Sequence, residues 1–265
     1  MKKLFCIYLF ISIALLYGVE ANMVESHGPK KLKMTRGDVK IIEATENIRY
    51  LSQKMAKEYL FLYTYPENTE MKKSLYDSLK KLGENLQIIS AVTKDEDTSN
   101  ILEFLAYSKG EILTIINKKP TSEYARLMLD YSETLLEGAD SIGRTYAYTF
   151  SKEEKMLVNA KNVKYLLERI TKYYMALYHG FNMENNQKKL ENAISDLAQY
   201  FAEINSYEYP AKITSARNKI DSVWYRDKGI LNDAGRYFIP TLLFDSVVYM
   251  EEKIDILALY HSQNL

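Results

Sequence analysis

Residues 47–63 read NIRYLSQKMAKEYLFLY, and residues 162–178 read NVKYLLERITKYYMALY. Seven of the seventeen positions are identical in the two stretches. In both, apolar residues recur every three or four positions, which is typical of one face of a helix. The apolar positions around them and in the following helix also repeat without a gap. The sequence therefore predicts one helical unit that occurs twice, with an offset of 115 residues.

Breaks in the apolar pattern divide each copy into four helices. Pro66 ends the first helix, the polar residues 94–97 end the second, and Pro120 ends the third. Ser151 opens a capping-box pattern with Glu154, which predicts the start of the fifth helix. The alignment of the two copies drifts across the third helix and returns in the fourth.

The fold predicted from this pattern is all-α. Each helix carries about one apolar stripe, and four such helices with short loops form an up-down-up-down bundle. We expect two tandem four-helix bundles, at residues 38–149 and 150–265. The alternative is one irregular helical domain with chance similarity, which a gapless register over two helices disfavours.

The N-terminus has the layout of a secretory signal peptide at residues 1–21, with two lysines, an apolar run and the cleavage-site sequence Val-Glu-Ala. An uncleaved anchor is the alternative, although the apolar run is short for a membrane span. Residues 22–37 are expected to form a flexible lead-in. Cys6 is the only cysteine and lies within the apolar run, so the processed chain would have no disulfide. A periplasmic or secreted protein is expected.

Charge and residue types exclude several classes of function. Without residues 1–21 the chain has 33 basic and 34 acidic residues, a balance that argues against nucleic acid as a partner. The histidines at 27, 179 and 261 do not have metal-ligand spacing, and no nucleophile-and-base set or phosphate loop is evident. We therefore expect no enzyme activity, no metal and no cofactor.

Residues 44–60, ATENIRYLSQKMAKEYL, resemble the signature of one sensor family. It is the N-terminal domain of type IV pilus methyl-accepting chemotaxis transducers (PilJ-type), which is related to the NarX-like nitrate and nitrite sensors. Tyr50 stands where the family usually has methionine, and the second copy is more diverged. The matching residues are Arg49, Leu51, Ser52, Gln53, Met55, Ala56 and Lys57.

The resemblance implies a helical, often dimeric sensor domain outside the cytoplasm, without catalytic activity. It also implies that Arg49 holds a small oxyanion such as nitrate or nitrite, with Ser52 and Gln53 beside it on the helix. Lys164 has the equivalent position in the second copy, but its ammonium lacks the planar fork of a guanidinium. Alternatively, Arg49 is a solvated residue paired with Glu46, three positions earlier.

The function expected from the sequence is ligand binding or sensing in chemotaxis, in which a bound anion is presented to a membrane receptor or another envelope protein. A homodimer would fit the hypothesis that Arg49 binds an oxyanion, because two copies of Arg49 could then converge on the anion. The alternative is a helical scaffold that docks a receptor ectodomain or a pilus component. The 23 tyrosines fit wide helix seams, and less readily a ligand site.

Overall fold

The computed structural model describes residues 35–232 and 238–265, and all of them belong to one unit. These residues form helices and no strand, which confirms the all-α prediction. The predicted signal peptide and residues 22–34 of the predicted lead-in lie outside the described residues. The eight helices are α1 (Arg36–Thr64), α2 (Thr69–Val92), α3 (Glu96–Ile116), α4 (Ser122–Thr145), α5 (Lys152–Tyr178), α6 (Met183–Asn205), α7 (Ala211–Asn232) and α8 (Pro240–Ser262).

The two long helices α1 and α5 both begin with a capping box. Ser151 accepts a hydrogen bond from the backbone N–H of Glu154, whose carboxylate accepts one from the backbone N–H of Ser151, as predicted. Thr35 and Asp38 form the same reciprocal pair. Because of this second box, α1 begins at Arg36, two residues before the predicted start of the first bundle.

The 115-residue repeat extends through all four helices of each half. Each helix of the second half begins 114–118 residues after its counterpart in the first half. The counterparts α3 and α7 begin 115 residues apart, although their sequences do not align. The third helix of each half therefore begins at an equivalent position, although the two sequences have diverged.

Helix contacts follow the same division. In the first half α1 and α3 each pack against α2 and α4, and in the second half α8 packs against α5 and α7 while α6 packs against α5. In addition, α1 packs directly against α5, which joins the halves. These contacts are compatible with two bundles, whose tandem arrangement stays a prediction.

Because α1 and α5 touch each other as well as their own halves, they are buried on more than one face. Tyr59, Tyr173 and Tyr174 are among the largest fully buried side chains, so part of the tyrosine excess fills the contacts of these helices. Within the described ranges, no helix has both the length and the apolar character required to cross a membrane.

Candidate functional site

The contact between α1 and α5, here called the seam, brings the two copies of the repeated stretch together. Thr64 Oγ1 and His179 Nε2, which are 115 residues apart, share a hydrogen bond of 2.9 Å. Near the other end of the seam, Arg49 Nη1 donates to Asn162 Oδ1 at 2.8 Å. Since the sequence separation stays nearly constant along the seam, the two helices run parallel with equivalent positions side by side.

Two of the predicted ligand contacts, Ser52 and Gln53, are fully buried in this region. The Ser52 hydroxyl donates to the carbonyl of Arg49 at 2.7 Å, and the Gln53 amide donates to the Ser52 hydroxyl at 2.9 Å. The Gln53 carbonyl oxygen accepts from Arg169 of α5 at 3.3 Å. A ligand could reach these two side chains only if the seam opened, so their role as ligand contacts stays a prediction.

Arg49, the predicted anion-binding residue, is surrounded by carboxylates. Its guanidinium lies 2.8 Å from Glu46 and 2.8 Å from Asp140 of α4, and it stacks over the ring of Tyr165. Burial opposes the charge of Arg49, but Glu46 and Asp140 outweigh this effect and raise its pKa. Arg49 therefore forms the ion pair with Glu46 that was predicted from the sequence as an alternative, and it forms a second ion pair with Asp140.

Lys164 repeats the environment of Arg49 on the other side of the seam. Its ammonium lies 2.8 Å from Asp255, which is the counterpart of Asp140, and over the ring of Tyr50, the counterpart of Tyr165. Asp255 is more exposed than Asp140. The two predicted cations thus occupy equivalent positions, and each has a carboxylate partner from the fourth helix of its own half.

A wide depression in the described residues lies beside Lys164. This first groove, between α1, α2, α5 and α8, has a volume of about 760 Å³, which is within the usual range for ligand sites. Its floor includes Leu51 and Ile254, and Tyr50 and Asn85 contribute polar groups.

A second, smaller groove of about 330 Å³ is the repeat counterpart of the first. Every residue that lines it lies 115 positions from a residue that lines the first groove, and Arg49 stands in the place of Lys164. Tyr200 stands in the place of the smaller Asn85, and Asp196 replaces Lys81. Substitution at equivalent positions has therefore left one open groove and one that is narrower and more acidic.

The charges of the first groove are mixed. Four lysines face four carboxylates, and Lys161 forms no ion pair within the part of the chain that the structure describes. Lys161 and Lys164 project from α5 and are half-buried, so they are less hydrated than ordinary surface lysines. The other charged lining residues are Glu46, Lys54, Asp77, Lys81, Glu84 and Asp255.

Sequence reasoning missed two buried ionic clusters. The acidic cluster consists of Lys57, Glu58, Glu168 and Glu251, and contains a Lys57–Glu168 pair of 2.6 Å across the seam. The basic cluster consists of Glu133, Arg169, Lys172 and Lys189. One signal was available, because Lys57 and Lys172 are one of the seven identities between the repeated stretches and lie among apolar residues.

Within the described ranges, no group of three or more histidine, cysteine, aspartate or glutamate side chains is placed to hold a metal ion. Comparison of the chain with protein-family models, with curated proteins and with solved structures gives no match.

Proposed function

We propose that this protein is an exported, non-catalytic binding protein, built as two tandem four-helix bundles joined at the seam. Its small-molecule ligand occupies the first groove. The observation that carries the proposal is the difference between two equivalent grooves, of which only the first has remained wide. Clefts of this size between helices are common ligand sites.

The lining of the first groove indicates the chemistry of the ligand. Lys161 and Lys164 offer ammonium groups to an anionic group such as a carboxylate or a nitrate-like oxyanion. The facing carboxylates suit hydrogen-bond donors or a cationic group on the same ligand. A small polar molecule with an anionic group therefore fits better than an apolar one.

An anion at Arg49, which the family resemblance implies, would meet more carboxylates than an anion at Lys164, whose ion-pair partner in the described residues is Asp255. Glu46 and Asp140 already pair with the guanidinium, and Asp196 and Glu203 also line the second groove. An incoming anion would have to displace a carboxylate that forms a charge-assisted hydrogen bond. These contacts favour the Lys164 side of the seam over the Arg49 side.

The test is calorimetric titration with nitrate, nitrite and succinate at constant ionic strength. We expect one of these anions to bind to the parent protein and to Arg49→Gln, and to bind at least about tenfold more weakly to Lys164→Gln, since a hydrogen bond to a charged group contributes about 1.5–3 kcal/mol. Lys73→Gln is the matched control, because it removes an exposed charge from α2 away from the groove.

Loss of binding in Arg49→Gln with full binding in Lys164→Gln would move the site to the predicted arginine. Absence of binding to the parent protein at millimolar concentration of all three anions would reject an anionic ligand in the first groove.

The resemblance to PilJ-type and NarX-like domains supports a role in sensing. In that role the protein would present its bound ligand to a membrane receptor or to another envelope protein. The groove lies against α8, whose outer surface offers a way to report occupancy to such a partner.

A second candidate function, a helical interaction protein, is supported by the outer face of α8. Leu242, Tyr249 and Ile256 are spaced seven residues apart and are all exposed. Their counterparts in α4 are a leucine, a threonine and a serine. Because an exposed apolar stripe is typical of a contact surface, the outer face of α8 is suited to dock a partner.

A second copy of this chain is the first partner to test. Under the scaffold hypothesis, sedimentation should show a dimer for the parent protein and a monomer for the double variant Ile256→Ser, Leu259→Ser. Phe104→Ser is the control, since Phe104 of α3 is as exposed as Leu259. A parent protein that remains monomeric at high micromolar concentration would exclude self-association through this face.

A further inference from the structure

The basic cluster, on the side of α5 that faces α4 and α6, has more positive than negative charge. Glu133 of α4 accepts hydrogen bonds from Arg169 at 3.2 Å, from Lys189 at 3.1 Å and from Lys172. Tyr173 also donates to this carboxylate at 3.1 Å. One carboxylate therefore serves three cations, and the Lys172 side chain has no exposed surface.

Beside this cluster lies a cavity of about 190 Å³. It is lined by Lys172 and Lys189, and Arg126 of α4 adds another guanidinium. Asp130 is the only carboxylate besides Glu133 among the lining residues. Three cationic groups and two carboxylates therefore line the cavity, and Arg169, which pairs with Glu133 behind it, brings the charges to four positive and two negative. The volume is more than ten times the roughly 10–15 Å³ that one water molecule needs.

The opening of α6 lines the same cavity with amide groups, of which the Asn186 side chain already donates to the Phe181 carbonyl at 2.6 Å. Asn182, Asn185 and Asn186 line it, and they belong to the first turn of this helix. Asn182 is the N-cap residue and has a left-handed backbone, with φ of 38°, and its side chain makes no capping hydrogen bond. The N-terminal end of a helix carries partial positive charge, so it adds to the field of the cations.

We propose that this cavity binds a small divalent oxyanion with the geometry of sulfate or a phosphate group, held by Lys189, Lys172 and Arg126. Such an anion would offset the excess of about two positive charges that the protein side chains leave. It would accept hydrogen bonds from the lysines and from the amides at the start of α6. The site is separate from the first groove and shares no residue with it.

The acidic cluster shows how unbalanced buried charge changes the pKa of its members. Burial, together with the neighbouring Glu168, raises the pKa of Glu251 to about 7, so this carboxyl group binds a proton readily. In the basic cluster, burial lowers the pKa of Lys172 to about 7 against the attraction of Glu133. A bound anion would attract the Lys172 ammonium, oppose the effect of burial and so keep Lys172 charged.

The experiment is calorimetry at pH 7 with sulfate, inorganic phosphate and methyl phosphate, at an ionic strength fixed with sodium chloride. We expect at least one of them to bind to the parent protein, and to bind at least about tenfold more weakly to Lys189→Gln. Lys188→Gln is the matched control, because the neighbouring Lys188 is exposed and does not line the cavity. Lys189 is itself partly exposed, so this variant should fold.

Stronger binding of methyl phosphate than of inorganic phosphate would identify a phosphate monoester as the ligand, and the reverse would identify the free ion. The proposal is overturned if none of the three anions binds at millimolar concentration, or if Lys188→Gln and Lys189→Gln bind equally well. Neither result depends on Lys161 or Lys164, so the groove hypothesis stands or falls separately.

Discussion

Lys57 and Lys172 occupy equivalent positions in the two halves, yet their environments are opposite. Both side chains are buried, and each lies beside a glutamate. Lys57 is the buried cation among three carboxylates, one of which also lies 3.9 Å from Lys54, whereas Lys172 is one of three cations that share a single carboxylate. Burial opposes the charge of both lysines, but Glu168 and Glu58 raise the pKa of Lys57, while the pKa of Lys172 falls to about 7.

A repeated helix can therefore keep its backbone and its buried lysine while the partners of that lysine change. The counterpart of Glu58 is Tyr173, and the counterpart of Glu168 is Gln53. Each of these exchanges removes or adds one carboxylate in the seam. The two equivalent lysines therefore share a backbone position but lie in clusters of opposite net charge, and residues of both halves contribute to each cluster.

A substitution in the acidic cluster should destabilise the protein most. Glu168→Ala would leave Lys57 buried without its closest partner, and breaking a buried ion pair costs about 3–5 kcal/mol. Urea denaturation should show this loss in the free energy of unfolding. The control Glu84→Ala removes an exposed glutamate 3.9 Å from Lys80 and should change the free energy by less than about 0.5 kcal/mol. Equal effects would show that the seam pair is not a stability determinant.

The next test concerns the basic cluster and pH. Lys172 faces Glu133 from α4, Arg169 and Tyr173 from its own helix, and Lys189 from α6. Its pKa is about 7 in the folded protein and 10.5 in the unfolded chain, so between these values the unfolded state binds the additional proton. The contribution of Lys172 to stability therefore rises with pH in this window, with a slope of at most about 1.4 kcal/mol per pH unit.

In Lys172→Met this rise between pH 7 and pH 9 should disappear relative to the parent protein, as measured by urea denaturation at each pH. Lys57→Met is the comparison variant. The pKa of Lys57 is raised, so Lys57 is protonated in both the folded and the unfolded state at every pH below its ordinary pKa of 10.5. Its contribution to stability is therefore constant between pH 7 and pH 9. If the free energy of unfolding changed with pH in the same way in the parent protein and in Lys172→Met, the lowered pKa of Lys172 would be contradicted.

A smaller effect should distinguish the packing of the two halves at α4 and α8. A Cβ atom added to Gly138 of α4 would lie 2.6 Å from the buried side chain of Leu105 in α3, whereas the counterpart of Gly138 in α8 is Lys253. Gly138→Ala should therefore destabilise the protein by about 1–3 kcal/mol through overpacking. Gly110→Ala, with open space around it, should stabilise by up to about 1 kcal/mol. Thermal unfolding of both variants would show opposite signs; the same sign would mean that Leu105 moves aside.

The smallest effect compares the caps of α1 and α5. Thr35→Ala and Ser151→Ala each remove a capping-box side chain, so each should cost about 1 kcal/mol in urea denaturation. Similar costs would show that both halves start their central helix in the same way. A negligible cost for one variant would show that this cap is replaced by other contacts.

Much of the fold could be predicted from the sequence because helix ends depend on local chemistry. Pro66 and the capping box of Ser151 lie close to the observed ends, and the apolar stripes identified the buried faces. The register of α7 could not be predicted, because its side chains no longer match those of α3. The start of α7 nevertheless lies 115 residues after the start of α3.

The candidate site was harder to predict because it depends on contacts between distant helices. Ser52 and Gln53 are predicted from the sequence as ligand contacts beside Arg49, and they are buried because α5 covers them. The pairing of Glu133 with Lys172 joins residues 39 positions apart on different helices. No local pattern distinguishes such a glutamate from an ordinary exposed one.

The parallel seam also has a consequence for the order of folding. Contacts between antiparallel neighbours such as α1 and α2 join residues about 20–40 positions apart, whereas seam contacts such as Thr64 with His179 join residues 115 positions apart. Contacts at long sequence separation form more slowly, because the chain must lose more entropy before they are made. We therefore expect each half to collapse around its own long helix first and the seam to close last. During that interval the polar surfaces of α1 and α5 would be solvated, and the buried lysines would both be protonated.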